Sequence, residues 1–290
     1  MTPTGSHFLC GLIGAGIQAS RTPAMHEREG DEQGLRYMYK LIDLDQLRLG
    51  VEALPELLAA AKRMGFAGLN ITYPCKQAII PLLDELSEDA RALNAVNTVV
   101  IKGGRLIGHN TDWSGFAEGF RRGLPDAKLD RVVQLGAGGA GAAVAHAALM
   151  MGTKQLTVFD VDSARSAELA SSLSGRFGAG RAVGGTDLAA AMTGADGLIH
   201  CTPTGMAKLP GMPLKAELLQ GKHWVAEIVY FPLETELLRV ARAKGCRTVD
   251  GGGMAVFQAV GAFRLFTGIE PDAERMRRHF LSMVGDGERS

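Results

Sequence analysis

The stretch with the most chemistry in it is Val132-Val133-Gln134-Leu135-Gly136-Ala137-Gly138-Gly139-Ala140-Gly141-Ala142, a G-x-G-G-x-G run. These residue types suit a bound pyrophosphate. Gly136 permits a tight turn, Gly138 lets the backbone approach phosphate, and Gly141 lets the following helix pack closely on the strand. The helix itself presents unpaired N–H groups and a partial positive charge. Ala137, Gly139 and Ala140 complete the candidate loop. Asp160 closes the next predicted strand, where a carboxylate accepts hydrogen bonds from a ribose 2′-hydroxyl. The same carboxylate repels a 2′-phosphate. At an effective dielectric of ~20, one charge pair at ~4 Å is worth ~4 kcal/mol. Asp160 therefore favours NAD over NADP, although Arg165, and less so Lys154, are cations within reach of the same region.

A second group of polar residues stands in apolar surroundings in the first half. Asn70 and Thr72 close the run 68–72, and Lys76 follows one turn after Pro74. The C-terminal end of a parallel strand is where open α/β sheets bind ligands. Asn97 lies in Asn94-Ala95-Val96-Asn97-Thr98, and Asp112 in Gly108-His109-Asn110-Thr111-Asp112. Oxidation or reduction at a secondary alcohol needs a proton carrier at the oxygen, and Lys76 with Asp112 is the obvious pair. A desolvated lysine exchanges its proton near neutrality, while a nearby carboxylate raises its pKa and orients it. Each also has a plain reading, Lys76 as a solvated charge and Asp112 as a helix N-cap. His109 reads as a structural histidine in an apolar strand, and Cys75, with no activating histidine beside it, as packing.

Something must hold these residues in place. Short apolar runs alternate with helical patterns throughout, which predicts an α/β fold with mostly parallel sheets. Strands are expected at 8–13, 36–42, 67–72, 96–101 and 105–109, with helices at 23–29, 51–64, 75–83 and 88–93. Pro23 suits a first helical position after Thr22 as N-cap. From Arg131 the texture changes, with strands at 131–135, 156–160, 197–201 and 223–228 and helices at 140–151 and 163–173. A connecting helix is expected at 112–122, and two more at 254–266 and 272–283. The predicted organisation is a substrate-binding and catalytic domain at 1–112 and a Rossmann-like NAD-binding domain, with its connecting helix, at 113–253. Helices at 254–290 return toward the first domain. An active site would lie in the cleft between the two α/β domains.

Composition narrows the function classes. Lys and Arg number 31 against 31 Asp and Glu, so the formal net charge is +0. That balance argues against coating a nucleic acid or a polybasic membrane surface. Glycine is in excess, 38 residues or about 13% against an ordinary ~7%. Cys10, Cys75, Cys201 and Cys246 are far apart, with no C-x-x-C and no paired histidine. No metal site or disulfide is expected, and a reducing cytoplasm is the expected compartment. The apolar run 7–17 has no Lys or Arg before it, as a signal peptide requires. The uncharged run 132–153 is long enough to span a bilayer, but its glycines read better as strand, turn and buried helix. The expected partner is a small-molecule substrate, with no nucleic acid and no membrane, in a monomer or homodimer.

With these residues assembled, the sequence resembles the shikimate/quinate dehydrogenase family over nearly its whole length. The matching segments are Ser20-Arg21-Thr22-Pro23-Ala24-Met25-His26, Gly68 to Lys76, Asn94 to Thr98, Gly108 to Asp112 with Gly115-Phe116, and Gly136 to Gly141. Further along come Thr202-Pro203-Thr204-Gly205-Met206, Val229-Tyr230 with Pro232 and Thr235, and Gly252-Gly253-Met254 with Gln258. The resemblance implies that Ser20 and Thr22 hold a substrate carboxylate, and that Thr72, Asn97 and Gln258, with Asn70 beside them, bind the ring. Lys76 and Asp112 would be the catalytic pair at the C3 oxygen. Thr202, Thr204, Ile228, Tyr230 and Gly253 would line the nicotinamide side. The substrate pairs would be shikimate with 3-dehydroshikimate, or quinate with 3-dehydroquinate.

The departures from the family pattern carry the finer reading. Biosynthetic members usually have Ser-x-Ser preceded by a histidine, whereas here the run is Ala19-Ser20-Arg21-Thr22, as in members that also oxidise quinate. The biosynthetic members also follow the second cofactor-domain strand with Asn-Arg-Ser/Thr, a clamp for the 2′-phosphate. Here the tripeptide is Asp160-Val161-Asp162. This resembles the NAD-using quinate/shikimate dehydrogenases. Glu227 stands where Asp is frequent, and Arg21 adds a cation near the presumed carboxylate site. Two alternatives stay open: an NADP-dependent biosynthetic shikimate dehydrogenase, and a non-catalytic sensor on the same scaffold.

Overall fold

A computed structural model describes residues 7–285. Its elements run β1 (His7–Gly14), α1 (Thr22–Glu32), β2 (Arg36–Asp43), α2 (Leu44–Leu47), α3 (Leu54–Arg63), β3 (Gly68–Ile71), α4 (Cys75–Ala78), β4 (Glu85–Leu86), α5 (Glu88–Leu93), β5 (Thr98–Lys102) and β6 (Arg105–His109). They continue as α6 (Asp112–Gly123), β7 (Arg131–Leu135), α7 (Gly139–Met150), β8 (Gln155–Phe159), α8 (Ser163–Phe177), β9 (Ala182–Gly184), α9 (Leu188–Thr193), β10 (Gly197–His200), β11 (Trp224–Glu227), α10 (Glu236–Ala243), β12 (Arg247–Val249), α11 (Gly252–Thr267) and α12 (Ala273–Gly285). The chain divides into two units. One holds the residues up to Thr111 and those from Gln258 on, the other Asp112–Phe257, so the division falls inside α11.

The first unit is built on a six-stranded sheet in the order β2-β1-β3-β5-β6-β4. The strands β1, β2 and β3 are parallel, as expected. The pairs β3–β5 and β5–β6 are antiparallel, so this sheet is mixed rather than mostly parallel. The reason is local. Only Gly103 and Gly104 separate β5 from β6, both with positive φ (57° and 77°), and a two-residue turn of that kind joins antiparallel neighbours. One apolar cluster, around Ile13, Leu54, Leu69, Ile71, Ile79 and Val99, and another, around Cys10, Tyr37, Tyr39, Phe263 and Phe266, form its core.

Prolines trimmed the expected helices. The run 51–64 splits into a 3₁₀ turn, Val51–Ala53, and α3, with Pro55 in the first turn of α3. The run 75–83 splits into α4 and a 3₁₀ turn, Ile80–Leu82, that contains Pro81. Proline has no N–H to continue a ladder, so each restarts the helix. In α1 the N-cap place is taken by Arg21 and helical geometry begins at Thr22. Ser20 Oγ accepts the Thr22 N–H at 3.3 Å, so the capping oxygen comes from two residues earlier than expected.

The second unit carries a fully parallel sheet in the order β12-β11-β10-β7-β8-β9. Counted from β7, that is the doubly wound order 3-2-1-4-5-6 read from the far edge. Its topological switch point lies between β7 and β10, and ligands of such sheets bind at the carboxyl ends there. Clusters around Val132, Val144, Leu156 and Ile199, and around Val133, Leu198, Val225 and Leu238, supply the packing. The short strands β4, β9 and β12 and the helices α2, α9 and α10 were not among the elements expected from sequence.

Candidate active site

In the first unit, the carboxyl end of β3 gathers most of the polar residues singled out from sequence. Asn70 faces Thr98 across the antiparallel pair, and both are buried. Its amide makes three hydrogen bonds. Oδ1 accepts from Tyr39 Oη at 2.7 Å, while Nδ2 donates to Thr98 Oγ1 at 3.0 Å and to the Asn97 carbonyl at 3.2 Å. Asn97, also buried, accepts the Thr111 N–H at Oδ1 (2.7 Å) and donates from Nδ2 to Thr111 Oγ1 at 3.0 Å. Buried amides with this many partners are fixed in orientation, because losing any partner would strand a polar group.

Backbone bonds bring Thr72 and Lys76 to the same place. The Thr72 N–H donates to the Ile13 carbonyl at 2.9 Å, and the Lys76 carbonyl accepts the Val96 N–H at 2.9 Å. Lys76 itself is half-buried on the single turn of α4. Gly14 allows this crowding, because a Cβ there would lie 2.3 Å from Thr72 Cγ2. Gln258 stands on α11, one turn before Gly261, whose backbone approaches Thr111 so closely that a Cβ would sit 3.2 Å from Thr111 Cγ2.

Ser20 stands on the loop after β1 and Thr22 opens α1, and a residue not singled out from sequence organises that loop. Buried Asp43 accepts the N–H groups of Gly16 (3.0 Å) and Ile17 (3.1 Å), the Gln18 amide (2.8 Å) and the Asp45 N–H (3.1 Å). Burial pushes its pKa up, but these four donors outweigh that and hold it below the ordinary carboxylate value. The sequence signal for Asp43 was slight, an acid at a strand end.

In the second unit the glycine loop has the form expected of a phosphate cradle. Gly136 has φ +101°, and a Cβ there would lie 2.6 Å from the Cys201 carbonyl oxygen, across the switch point. A Cβ on Gly141 would lie 2.3 Å from the Gly136 carbonyl oxygen. Gly138 and Gly139, by contrast, face open space, with nothing within 4 Å of an added Cβ. Gly138 takes the N-cap place of α7 with no side chain capping it. An uncapped helix start beside open space fits a pyrophosphate, whose oxygens would accept those N–H groups. Fully buried Gln134 braces the loop, donating from Nε2 to the Gly136 carbonyl (2.9 Å) and the Gly141 carbonyl (2.8 Å). It was not named as a site residue, although an amide inside an apolar strand is a visible signal.

Asp160 follows β8 and reaches back to the same loop. Its Oδ2 accepts the Ala137 N–H at 2.7 Å and its Oδ1 the Asp162 N–H at 3.0 Å. Each carboxylate oxygen retains a lone pair for a further donor. Val161 is fully exposed next to it. Arg165 pairs with Asp162 at 3.4 Å on the exposed first turn of α8. Thr202, Thr204, Ile228 and Tyr230 stand on the loops that follow β10 and β11, whose ends meet in a buried His200–Glu227 pair. Gly253 lies in the first turn of α11, against Gly119. Asp112, buried, opens α6 in this second unit, whereas Lys76 belongs to the first. Among the described residues no group of three His, Cys, Asp or Glu side chains could hold a metal ion, and no helix is long and apolar enough to cross a membrane.

Comparison with known proteins shows what the chain is similar to. Residues 12–99 match the family described as shikimate dehydrogenase substrate binding domain, and residues 251–279 the shikimate 5′-dehydrogenase C-terminal domain. A shikimate dehydrogenase (NADP(+)) of Arthrobacter sp. (strain FB24) is 58% identical, with 99% of each chain covered. A quinate/shikimate dehydrogenase (NAD(+)) of Corynebacterium efficiens is 53% identical, covering 95% of this chain and 98% of that one. Among solved structures, quinate dehydrogenase from Corynebacterium glutamicum in complex with NAD superposes with a TM-score of 0.92 at 52% identity, covering 96% of this chain and 99% of that one.

Proposed function

The chain belongs to the shikimate/quinate dehydrogenase family of NAD(P)-linked oxidoreductases acting on a CH–OH group, and on that premise we propose that it is an NAD-dependent quinate/shikimate dehydrogenase. It would catalyse reversible hydride transfer between C3 of quinate or shikimate and NAD, giving 3-dehydroquinate or 3-dehydroshikimate. The names of its relatives divide over the cofactor, NADP at 58% identity and NAD at 53%. One observation supports NAD. The residue after β8 is a carboxylate, Asp160, tied to the glycine loop through Ala137 N. A 2′-phosphate there would meet a like charge, while a 2′-hydroxyl would meet an acceptor.

The parts of the chain then divide the work. The loop from Gly136 to Gly141 holds the pyrophosphate and Asp160 the ribose, with Arg165 beside it. The nicotinamide, when bound, supplies the hydride acceptor or donor. Thr202, Thr204, Ile228, Tyr230 and Gly253 line its side. Ser20 and Thr22 take the substrate carboxylate. Thr72, Asn97 and Gln258 take ring hydroxyls, and Asn70 keeps Asn97 in place. In the oxidative direction Lys76 accepts the proton of the C3 hydroxyl and Asp112 steadies the ammonium so formed. A reducing cytoplasm is the compartment inferred from the wide spacing of Cys10, Cys75, Cys201 and Cys246, with no C-x-x-C among them.

The test is a steady-state comparison of quinate and shikimate, each with NAD and NADP. Higher kcat/KM with NAD for both polyols is expected. A preference for NADP would make the chain a biosynthetic shikimate dehydrogenase instead. Saturable binding with no turnover would make it a sensor.

A further inference from the structure

One heavily bonded buried group in the second unit has no part in the roles assigned above. His200 and Glu227 are register partners at the carboxyl ends of β10 and β11, and both side chains are buried. His200 Nδ1 lies 2.9 Å from each Glu227 oxygen. The same carboxylate accepts the Val229 N–H at 3.0 Å and the Thr235 hydroxyl at 3.1 Å. On the other side of the ring, His200 Nε2 lies 2.5 Å from Thr202 Oγ1, which accepts the Thr204 N–H at 3.3 Å. One buried pair thus ties together the loop carrying Thr202 and Thr204 and the loop carrying Ile228 and Tyr230.

The donors set the direction of this chain of bonds. Three of them converge on the Glu227 carboxylate, which acts only as acceptor, so His200 presents Nδ1–H to it. Because the Thr202 oxygen already accepts the Thr204 N–H, its own proton is directed at Nε2, which then acts as acceptor. Thr202 therefore keeps a fixed rotamer and turns a lone pair, not a proton, toward its own loop.

Resting on the cofactor reading above, we infer that His200 and Glu227 are a positioning pair for the nicotinamide side of the site. They hold both flanking loops and the Thr202 hydroxyl in one arrangement, so they govern NAD rather than the polyol.

Glu227→Gln tests this without changing side-chain volume. A glutamine amide can donate to Nδ1, which moves the ring proton to Nε2 and reverses the bond at Thr202. Thr202→Val removes the receiving hydroxyl. NADH affinity by fluorescence titration, and KM for NAD and for quinate, would be measured for wild type, both single variants and the double. Each single variant is expected to weaken NADH by about 5- to 10-fold, the worth of roughly one hydrogen bond, with KM for quinate within about 2-fold. The double variant should be no worse than the poorer single, because both act through one chain of bonds. Losses that multiply in the double, or a quinate KM that rises as far as that for NAD, would overturn the inference. If Glu227→Gln does not fold, His200→Gln, which alters the pair but none of the residues placed along the nicotinamide, decides in its place, and an unchanged NADH affinity refutes. Wild type that binds NADH but turns over no polyol would overturn the substrate assignment and leave this test intact. Wild type that does not bind NADH overturns both.

Discussion

Replacing Asp160 by asparagine should shift the enzyme from NAD toward NADP, and the structure allows the size of the shift to be worked out. Two effects of the carboxylate must be separated, its charge and its bond to the glycine loop. Asparagine keeps an acceptor for the Ala137 N–H, now 2.7 Å from Oδ2, but loses the one for the Asp162 N–H. That loss of about 1 kcal/mol falls equally on both cofactors. The charge term does not. A pair of unit charges at ~4 Å is worth ~4 kcal/mol at a dielectric of ~20, but Asp160 is half-exposed, and screening reduces this to roughly 1.5–3 kcal/mol. The ratio of kcat/KM for NADP to that for NAD should therefore rise about 10- to 150-fold. Alanine at 160 gives the control, because it also removes the bond to Ala137 and should lower both values by a further factor of about 5 while leaving the ratio near that of the asparagine variant. Initial rates with both cofactors, at saturating quinate, measure all of these. A ratio that stays within 2-fold of wild type in both variants would show that Asp160 does not face the ribose.

Lys76→Ala should lower kcat by about 10² to 10⁴ while leaving NADH binding in place, and near wild-type turnover would remove Lys76 from the proton-transfer role. Gly141→Ala should weaken NADH by at least about 10-fold, because the new Cβ would lie 2.3 Å from the Gly136 carbonyl and must force α7 away from the loop; an unchanged titration curve would refute the close-packing argument. Arg275→Met should cost about 3–5 kcal/mol in urea unfolding, since buried Glu29, held by Arg275 at 2.6 and 2.8 Å, would lose its counter-charge. A cost below about 1 kcal/mol would show that the pair is no better than a surface one. Burial pushes the His26 ring down to about 3, so below an unfolded pKa of ~6.5 only the unfolded chain takes up its proton. Stability should then fall with pH by up to ~1.4 kcal/mol per unit for this group. His26→Phe should flatten that slope between pH 6 and 4, as read from urea midpoints.

Much of the site was legible in the sequence because its residues break local rules. A run of glycines between an apolar strand and an alanine-rich helix has few meanings, and Gly136, Gly138 and Gly141 stand where that pattern puts them. The motifs also carried the family, which the comparisons bear out. Nine of the twelve strands among the described residues were visible as apolar runs. What stayed hidden in the fold was local in another way. The three-residue strands β9 and β12 pair at sheet edges, where too few residues alternate to leave a pattern. The Gly103-Gly104 pair does signal an antiparallel turn, but the prevailing βαβ rhythm around it masks that signal.

The residues that hold the site together were harder to read, for a different physical reason. Gln134, Asp43, His200 and Glu227 all interrupt or end apolar strands, and a buried polar group must have partners. The sequence therefore says that partners exist. It does not say which, because they lie across the fold: Asp43 reaches Gly16 and Gln18, and Glu227 reaches His200. Local patterning sees groups that would meet a ligand through their own backbone, as proposed for the glycines. It does not see groups whose only task is to orient another residue. Chemistry at such a site should accordingly be more sensitive to its unseen braces than a motif implies, and loss of a brace should cost as much as loss of the residue it holds.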